Sequence, residues 1–179
     1  MSALLFWASA IAGFENAGAK LRKFYDPAWR DYPDFSLVSI QKVIDQDPAM
    51  VEAIARGAAK ASSFAVANPD CVRRLQWQHW PDTKPTGADE ATVAAWDLHN
   101  LDAQLETMQG AQTKNGGKLW GNMSAASFGK LQDFMFDAKL IDKKIAATNF
   151  VIETPGFFEK INGFDHEAVW AQAANCPVK

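Results

Sequence analysis

The chain has 179 residues, of which 48% are hydrophobic, 12% aromatic and 22% charged, a balance that excludes intrinsic disorder and fits one soluble globular domain. Eighteen Lys and Arg stand against 21 Asp and Glu, giving a formal charge of −3, and no basic run offers the footprint that nucleic acid or an anionic membrane requires. Two cysteines, Cys71 and Cys176, and three scattered histidines make neither a disulfide framework nor a zinc motif.

The first segment, Leu4 to Ala12, combines an apolar run with small residues in the manner of a signal-peptide cleavage site, yet it has no basic region before it. Gly13-Phe14-Glu15-Asn16 continues it as an amphipathic helix, so the reading is of a folded segment, not a secretion signal. No stretch approaches the roughly 18 apolar residues of a membrane span. Ala3 to Trp7 is a weak strand candidate. The stronger one is Phe35-Ser36-Leu37-Val38-Ser39-Ile40, which alternates and contains β-branched residues.

Asp47-Pro48 supplies a capping acceptor and a proline at the first helical position, which predicts a helix from Pro48 to Ala67 with Val51, Ile54, Ala55, Ala58, Ala61, Ser62 and Ala65 on its apolar face. Asn68-Pro69 repeats the start signal, and Trp80-Pro81 ends this second, short helix. Pro81 to Gly87 reads as an exposed loop. Thr86 is then expected to cap a long helix whose stripe, Ala94, Leu98, Leu101, Leu105 and Met108, steps by three and four residues until Gly110 stops it. Gly110 to Gly121, with Gly116-Gly117, reads as a flexible turn lacking the glycine spacing of a phosphate loop.

A further helix is expected near Ser124 to Lys139, carrying Phe128, Leu131, Met135 and Ala138. Asn149 to Ile152 and Gly156-Phe157-Phe158 are apolar stretches between turns, and Asp165 caps a last helix through Val169 and Ala173. No internal repeat is evident. One or two strands cannot satisfy their own backbone groups, so this inventory calls for sheet partners that the chain does not obviously supply.

Three runs in order carry a resemblance: Leu5 to Asn16, Phe35-Ser36-Leu37-Val38, and Asp47-Pro48-Ala49-Met50-Val51-Glu52-Ala53. With Ala67-Asn68-Pro69-Asp70, the loop Pro81 to Glu90, Trp120-Gly121 and Asn162-Gly163-Phe164-Asp165, the chain resembles the second half of solute-binding proteins of bacterial ABC importers. The nitrate, sulfonate and taurine type looks closest; its superfamily also holds pyrimidine-precursor proteins of thiamine biosynthesis. The resemblance implies an α/β fold, predominantly helical in this fragment, as part of a two-lobed periplasmic-binding-protein fold of type II. Residues 1–25 would end the second lobe and residues 26–179 would be the returning part of the first, with the first half of the family pattern absent. It also implies a small organic or sulfonate-like solute and an ABC permease as partners, no cofactor, and a periplasmic location; with no convincing signal peptide, the chain as it stands would be cytoplasmic.

By the same resemblance Trp7 and Ser9 face the solute cleft as an aromatic wall and a hydroxyl donor, and Phe35 and Ser36 lie near the crossing between lobes. Ala8 stands where many relatives carry an acidic residue. The cysteine-rich motif of the enzyme members is not visible, so no catalysis is expected. Trp77, His79 and Trp80 read either as an aromatic cage or as a helix end packed on the body. His99 with Asp97 or Asp102, and His166 with Asp165, read as solvated or capping groups, neither catalytic nor metal-binding. Cys71 and Cys176 would pair only in an exported protein. The alternative function is a non-catalytic assembly fragment, covering its apolar stripe and unpaired strands by homodimerisation or by pairing with an N-terminal half.

Overall fold

The computed structural model describes residue 3, residues 5–114 and residues 119–178. Among these residues every regular element is helical, and no strand or bridge forms. The α/β expectation is thereby overturned. Phe35 forms a bend and residues 36–40 take no regular structure, because a strand exists only through its neighbour's hydrogen bonds and no described segment pairs with this one. Its apolar side chains consequently stand in solvent, with Phe35 72% and Val38 91% exposed. Residues 5–7 are likewise non-strand, and Leu4 of that expected strand lies outside the described residues. The Gly116-Gly117 turn also lies outside them.

The chain divides into two compact units, neither of them continuous in sequence. These units are residues 1–23 with 60–114 and 165–179, and residues 24–59 with 115–164.

The first unit holds α1 (Ala8–Asn16), the later part of α3 (Pro48–Ala67), α4 (Pro69–His79), α5 (Glu90–Lys114) and α8 (His166–Ala174). Helix α1 ends in a left-handed glycine, Gly18 at φ 88°, which lets Ala19 N–H reach the Phe14 carbonyl and Gly18 N–H the Glu15 carbonyl. Asn68 caps α4 by accepting from Cys71 N–H at 3.0 Å, and Pro69 needs no partner at the first position. For α5 the cap is Asp89, not Thr86: its carboxylate accepts from both Thr92 N–H and the Thr92 hydroxyl. Helix α5 runs through Gly110 to Lys114, since an internal glycine costs only about 1 kcal/mol and four further helical residues follow it.

The core of this unit is small: Ala12, Cys71, Val93, Leu105 and Ala173. Of the predicted α5 stripe only Leu105 is fully buried; Val93 is buried instead of Ala94, and the flank facing α1 is polar. Asn16 donates to the Trp96 carbonyl and to Asn100 Oδ1 across the α1–α5 seam, and Gly13 passes close to Asn100. In α3 the fully buried positions are Ala59 and Ser63, while Ile54, Ala58 and Ala61 of the expected apolar face are exposed.

The second unit contains a 3₁₀ turn at Pro27–Asp31, α2 (Gln41–Gln46), the first part of α3, α6 (Ala125–Asp137), a 3₁₀ turn at Ala147–Phe150 and α7 (Phe157–Asn162). Asp47 Oδ1 accepts from Met50 N–H at the start of α3, as its sequence implied. Ser124 caps α6, which ends with Lys139 in the left-handed region at φ 57°. Its core is Ala59, Trp120, Phe157 and Ile161, flanked by a stacked Phe128–Phe150 pair and a Tyr32–Phe134 pair.

Two buried side-chain amides organise the loops of this unit in place of a sheet. Asn162 accepts from Trp120 N–H at 2.8 Å and donates to the carbonyls of Trp120 and Phe158 at 3.1 and 2.8 Å. Gln132 does the same for Ile145, accepting from its N–H at 2.9 Å and donating to its carbonyl at 3.0 Å. Each carboxamide thus imitates a peptide group of a neighbouring strand and satisfies both polar groups of one loop residue.

Candidate functional site

The N-terminal end of α1 is the place where two predicted ligand residues come together. Trp7 is the N-cap; its carbonyl accepts from Ala10 and Ile11 N–H, both at 3.1 Å, while its side chain caps nothing and is 51% exposed. The indole lies tilted against Phe6 at 4.7 Å between ring centroids, and Phe6 meets Phe14 edge to face at 5.7 Å. Three partly exposed aromatic rings therefore form one surface cluster at the helix entry, held by the helical spacing that sets Phe14 two turns beyond Trp7. Ser9, half-buried on the first turn, donates to Gln104 Oε1 of α5 at 3.4 Å.

One turn beyond the cluster the surface becomes polar. Glu15 pairs with Lys23 at 2.8 Å, and His99 is held by Asn16 Oδ1 at 2.8 Å on Nδ1 and by Glu15 at 3.5 Å on Nε2. The contacts of His99 are thus with Asn16 and Glu15 of α1 and not with Asp97 or Asp102 of its own helix. Ser9 has an amide and not a base as its partner, so the arrangement offers an apolar wall and a hydrogen-bonding rim rather than an activated nucleophile. The described residues contain no group of three or more His, Cys, Asp or Glu placed to hold a metal ion.

Phe35 and Ser36 lie together in the second unit, in the irregular segment before α2. Ser36 Oγ donates to the Asp34 carbonyl at 3.0 Å, a local turn contact, and Phe35 is largely exposed. The structure brings these two into one segment and gives them no enclosing walls.

The Trp77 region is a latch between helices. Its indole N–H donates to Asp97 Oδ2 of α5 at 2.6 Å, and the cations of Arg73 and Lys84 lie 4.4 and 4.5 Å from its ring centroid. A cage for a cationic ligand is excluded here because the protein's own cations occupy the ring. His79 and Trp80 pair with each other at 5.8 Å, at the exposed end of α4. Partial burial would raise the Asp70 carboxyl, but hydrogen bonds and charge from Arg73 and Arg74 prevail and hold it below the ordinary aspartate range. The Thr92 hydroxyl and amide likewise lower Asp89, and the Asp133 carboxylate raises Lys144. A depression of about 380 Å³ beside this region, lined by Lys84, Pro85, Thr86, Gly87 and Glu90 among others, is shallow and open.

Sequence reading missed two contributors to these sites. Phe6 and Phe14 complete the aromatic cluster, and the i, i+7 spacing of Trp7 and Phe14 on a helix was the available signal. The Cys71–Cys176 pairing, which the sequence left open, is made in the first unit, with the Cα atoms 5.7 Å apart across a separation of 105 residues. Compared with family models, curated proteins and solved structures, the chain finds no match. No helix among the described residues is long and apolar enough to cross a membrane.

Proposed function

We propose that this chain belongs to the solute-binding component of an ABC importer, delivering a small organic or sulfonate-like solute to a permease without transforming it. The observation that carries the reading is the exposed Phe6–Trp7–Phe14 cluster beside the Ser9 hydroxyl, which combines an aromatic contact surface with a polar anchor at the position the family resemblance assigns to ligand. The disulfide supports a periplasmic, oxidising location, because such bonds persist where thiols are not kept reduced.

An open surface buries one side of a solute, so the chain by itself binds weakly. Thermal shift and calorimetry with sulfonates, nitrate, taurine, pyrimidines and aromatic acids test this. At least one class shifts unfolding at millimolar concentration, and Trp7→Ala weakens that binding by about 30-fold, a hot-spot loss of about 2 kcal/mol, with little change in stability. A panel with no binder refutes the reading, and a variant of unchanged affinity removes Trp7 from the site.

A second reading, an assembly module, is favoured by surface area. The chain exposes 12,430 Å². Two wholly separate compact domains of half its mass each would expose roughly 10,400 Å² together. Leu21, Phe24, Tyr25, Trp29, Phe35, Leu37, Val38 and Ile40 all contribute to the excess. Light scattering with a hydrophobic dye distinguishes a self-associating chain from a dye-silent monomer, and the latter outcome refutes assembly.

A further inference from the structure

The C-terminal segment of the first unit, α8 with the residues up to Val178, buries little apolar surface and is tied covalently through Cys176. Within α8 only Ala173 is fully buried, and His166 and Val169 are half-buried. Polar contacts from the rest of the unit anchor it, among them Trp170 Nε1 donating to Ser63 Oγ at 3.0 Å, Asn68 Nδ2 to the Ala173 carbonyl at 2.9 Å, and Arg74 Nη1 to the Val178 carbonyl at 3.3 Å. By contrast α1 and α5 pack along a seam with several amide bonds and the buried Ala12 and Leu105. A helix with so little apolar burial has low local stability, and the disulfide removes the entropy it would gain on leaving.

The two sulfurs are not equivalent. Cys71 is fully buried in the first turn of α4, whereas Cys176 is half-buried in the irregular residues after α8. Of the two residues Cys176 is the more accessible to an incoming thiolate. Cys71 leaves as a thiolate at the start of α4, where the helix amides favour negative charge.

We propose that Cys71–Cys176 is a redox-operated latch that keeps α8 docked when oxidised and releases residues 165–178 when reduced. The reductant is a dithiol. One of its thiolates bonds to Cys176 Sγ as the Cys71–Cys176 bond breaks, and its second thiolate then displaces Cys176. The dithiol becomes a disulfide, two electrons pass to the protein, and each cysteine takes up a proton. Release frees Cys71 from Cys176 and takes from Ser63 and Asn68 their partners in α8, Trp170 and the Ala173 carbonyl. The inference stands on the first unit alone and does not depend on solute binding.

The test treats the full chain with dithiothreitol without denaturant, counts freed thiols by alkylation and mass spectrometry, and follows hydrogen exchange by segment. Both cysteines become alkylated, the amides of 166–178 exchange about tenfold faster or more, and those of α1 and α5 keep their protection. Reoxidation restores the original pattern, and Cys176→Ser reproduces the released state without reductant. Three results would overturn the latch: a bond that resists the dithiol, an α8 that stays protected in the reduced chain or in Cys176→Ser, or an α1 and α5 that lose protection together with α8.

Discussion

Asn162 tests whether side-chain amides substitute for strand pairing in the second unit. Its carboxamide is buried, and its hydrogen bonds include two to Trp120 and one to Phe158. At about 1 kcal/mol net for each bond, and with the buried Trp120 N–H left without a partner, Asn162→Ala costs about 3–4 kcal/mol. That is a large fraction of the stability of a small domain, commonly about 5–15 kcal/mol. Asn162→Asp is the sharper variant, because it keeps the shape and the acceptor for Trp120 N–H while turning a donor into an oxygen that faces two carbonyls. The introduced carboxyl is favoured in its protonated form by the fold, which raises its folded pKa above the unfolded value of about 3.9. Stability is then nearly retained below about pH 4 and is lost as pH rises through the folded value. The loss is about 1.4 kcal/mol for each pH unit that separates the folded from the unfolded pKa. Urea unfolding with residue-level hydrogen exchange in α6 and α7, at acidic and neutral pH, measures both. A loss below about 1 kcal/mol for Asn162→Ala, or an Asn162→Asp variant equally stable at both pH values, would refute the reasoning.

Asp70, held below its ordinary range by Arg73 and Arg74, contributes stability that is present above about pH 4 and lost as pH falls through its depressed folded value. Since 40% of its side chain is exposed the effect is below about 1 kcal/mol, and Asp70→Asn flattens the acid limb of the stability profile by that amount. Lys139 occupies the left-handed position that closes α6, so Lys139→Gly removes about 1 kcal/mol of backbone strain, partly offset by a freer unfolded chain. A raised thermal midpoint is expected, and a lowered one would show that the lysine side chain contributes more than the strain costs.

The helix starts at Asp47-Pro48, Asn68-Pro69, Ser124 and Asp165 were legible because a cap is a local event, settled within three residues by an oxygen and an N–H. Helices α2 and α7, six residues each, were too short to display a period. The alternation of Phe35 to Ile40 pointed to a strand that does not form, because the pattern cannot say whether a neighbour exists. In α3 the expected face misled because alanines fill most of the helix and hydrophobicity alone scarcely orients it; Ser63, fixed by Trp170 from far along the chain, is buried instead. The same limit hid part of the site. Trp7 and Ser9 stand out singly in the sequence; the Phe6 and Phe14 rings that extend Trp7 into a surface are local neighbours along the same segment, whereas the Gln104 partner of Ser9 follows from packing against a distant helix. Asn162 and Gln132 look like ordinary polar residues, since nothing near them in sequence reveals which loop they clamp.

The discontinuity of the first unit also orders events during biosynthesis. Helices α4 and α5 emerge from the ribosome well before α8, and Cys71 must wait through 105 residues for its partner. At typical elongation rates that interval is roughly 5–20 s, far longer than helices and local contacts need to form. Throughout it the unit is an unfinished scaffold with an unpaired thiol and an uncovered groove. A chaperone or thiol-protecting factor that engages the nascent chain thus has its window between the synthesis of α5 and the arrival of Cys176.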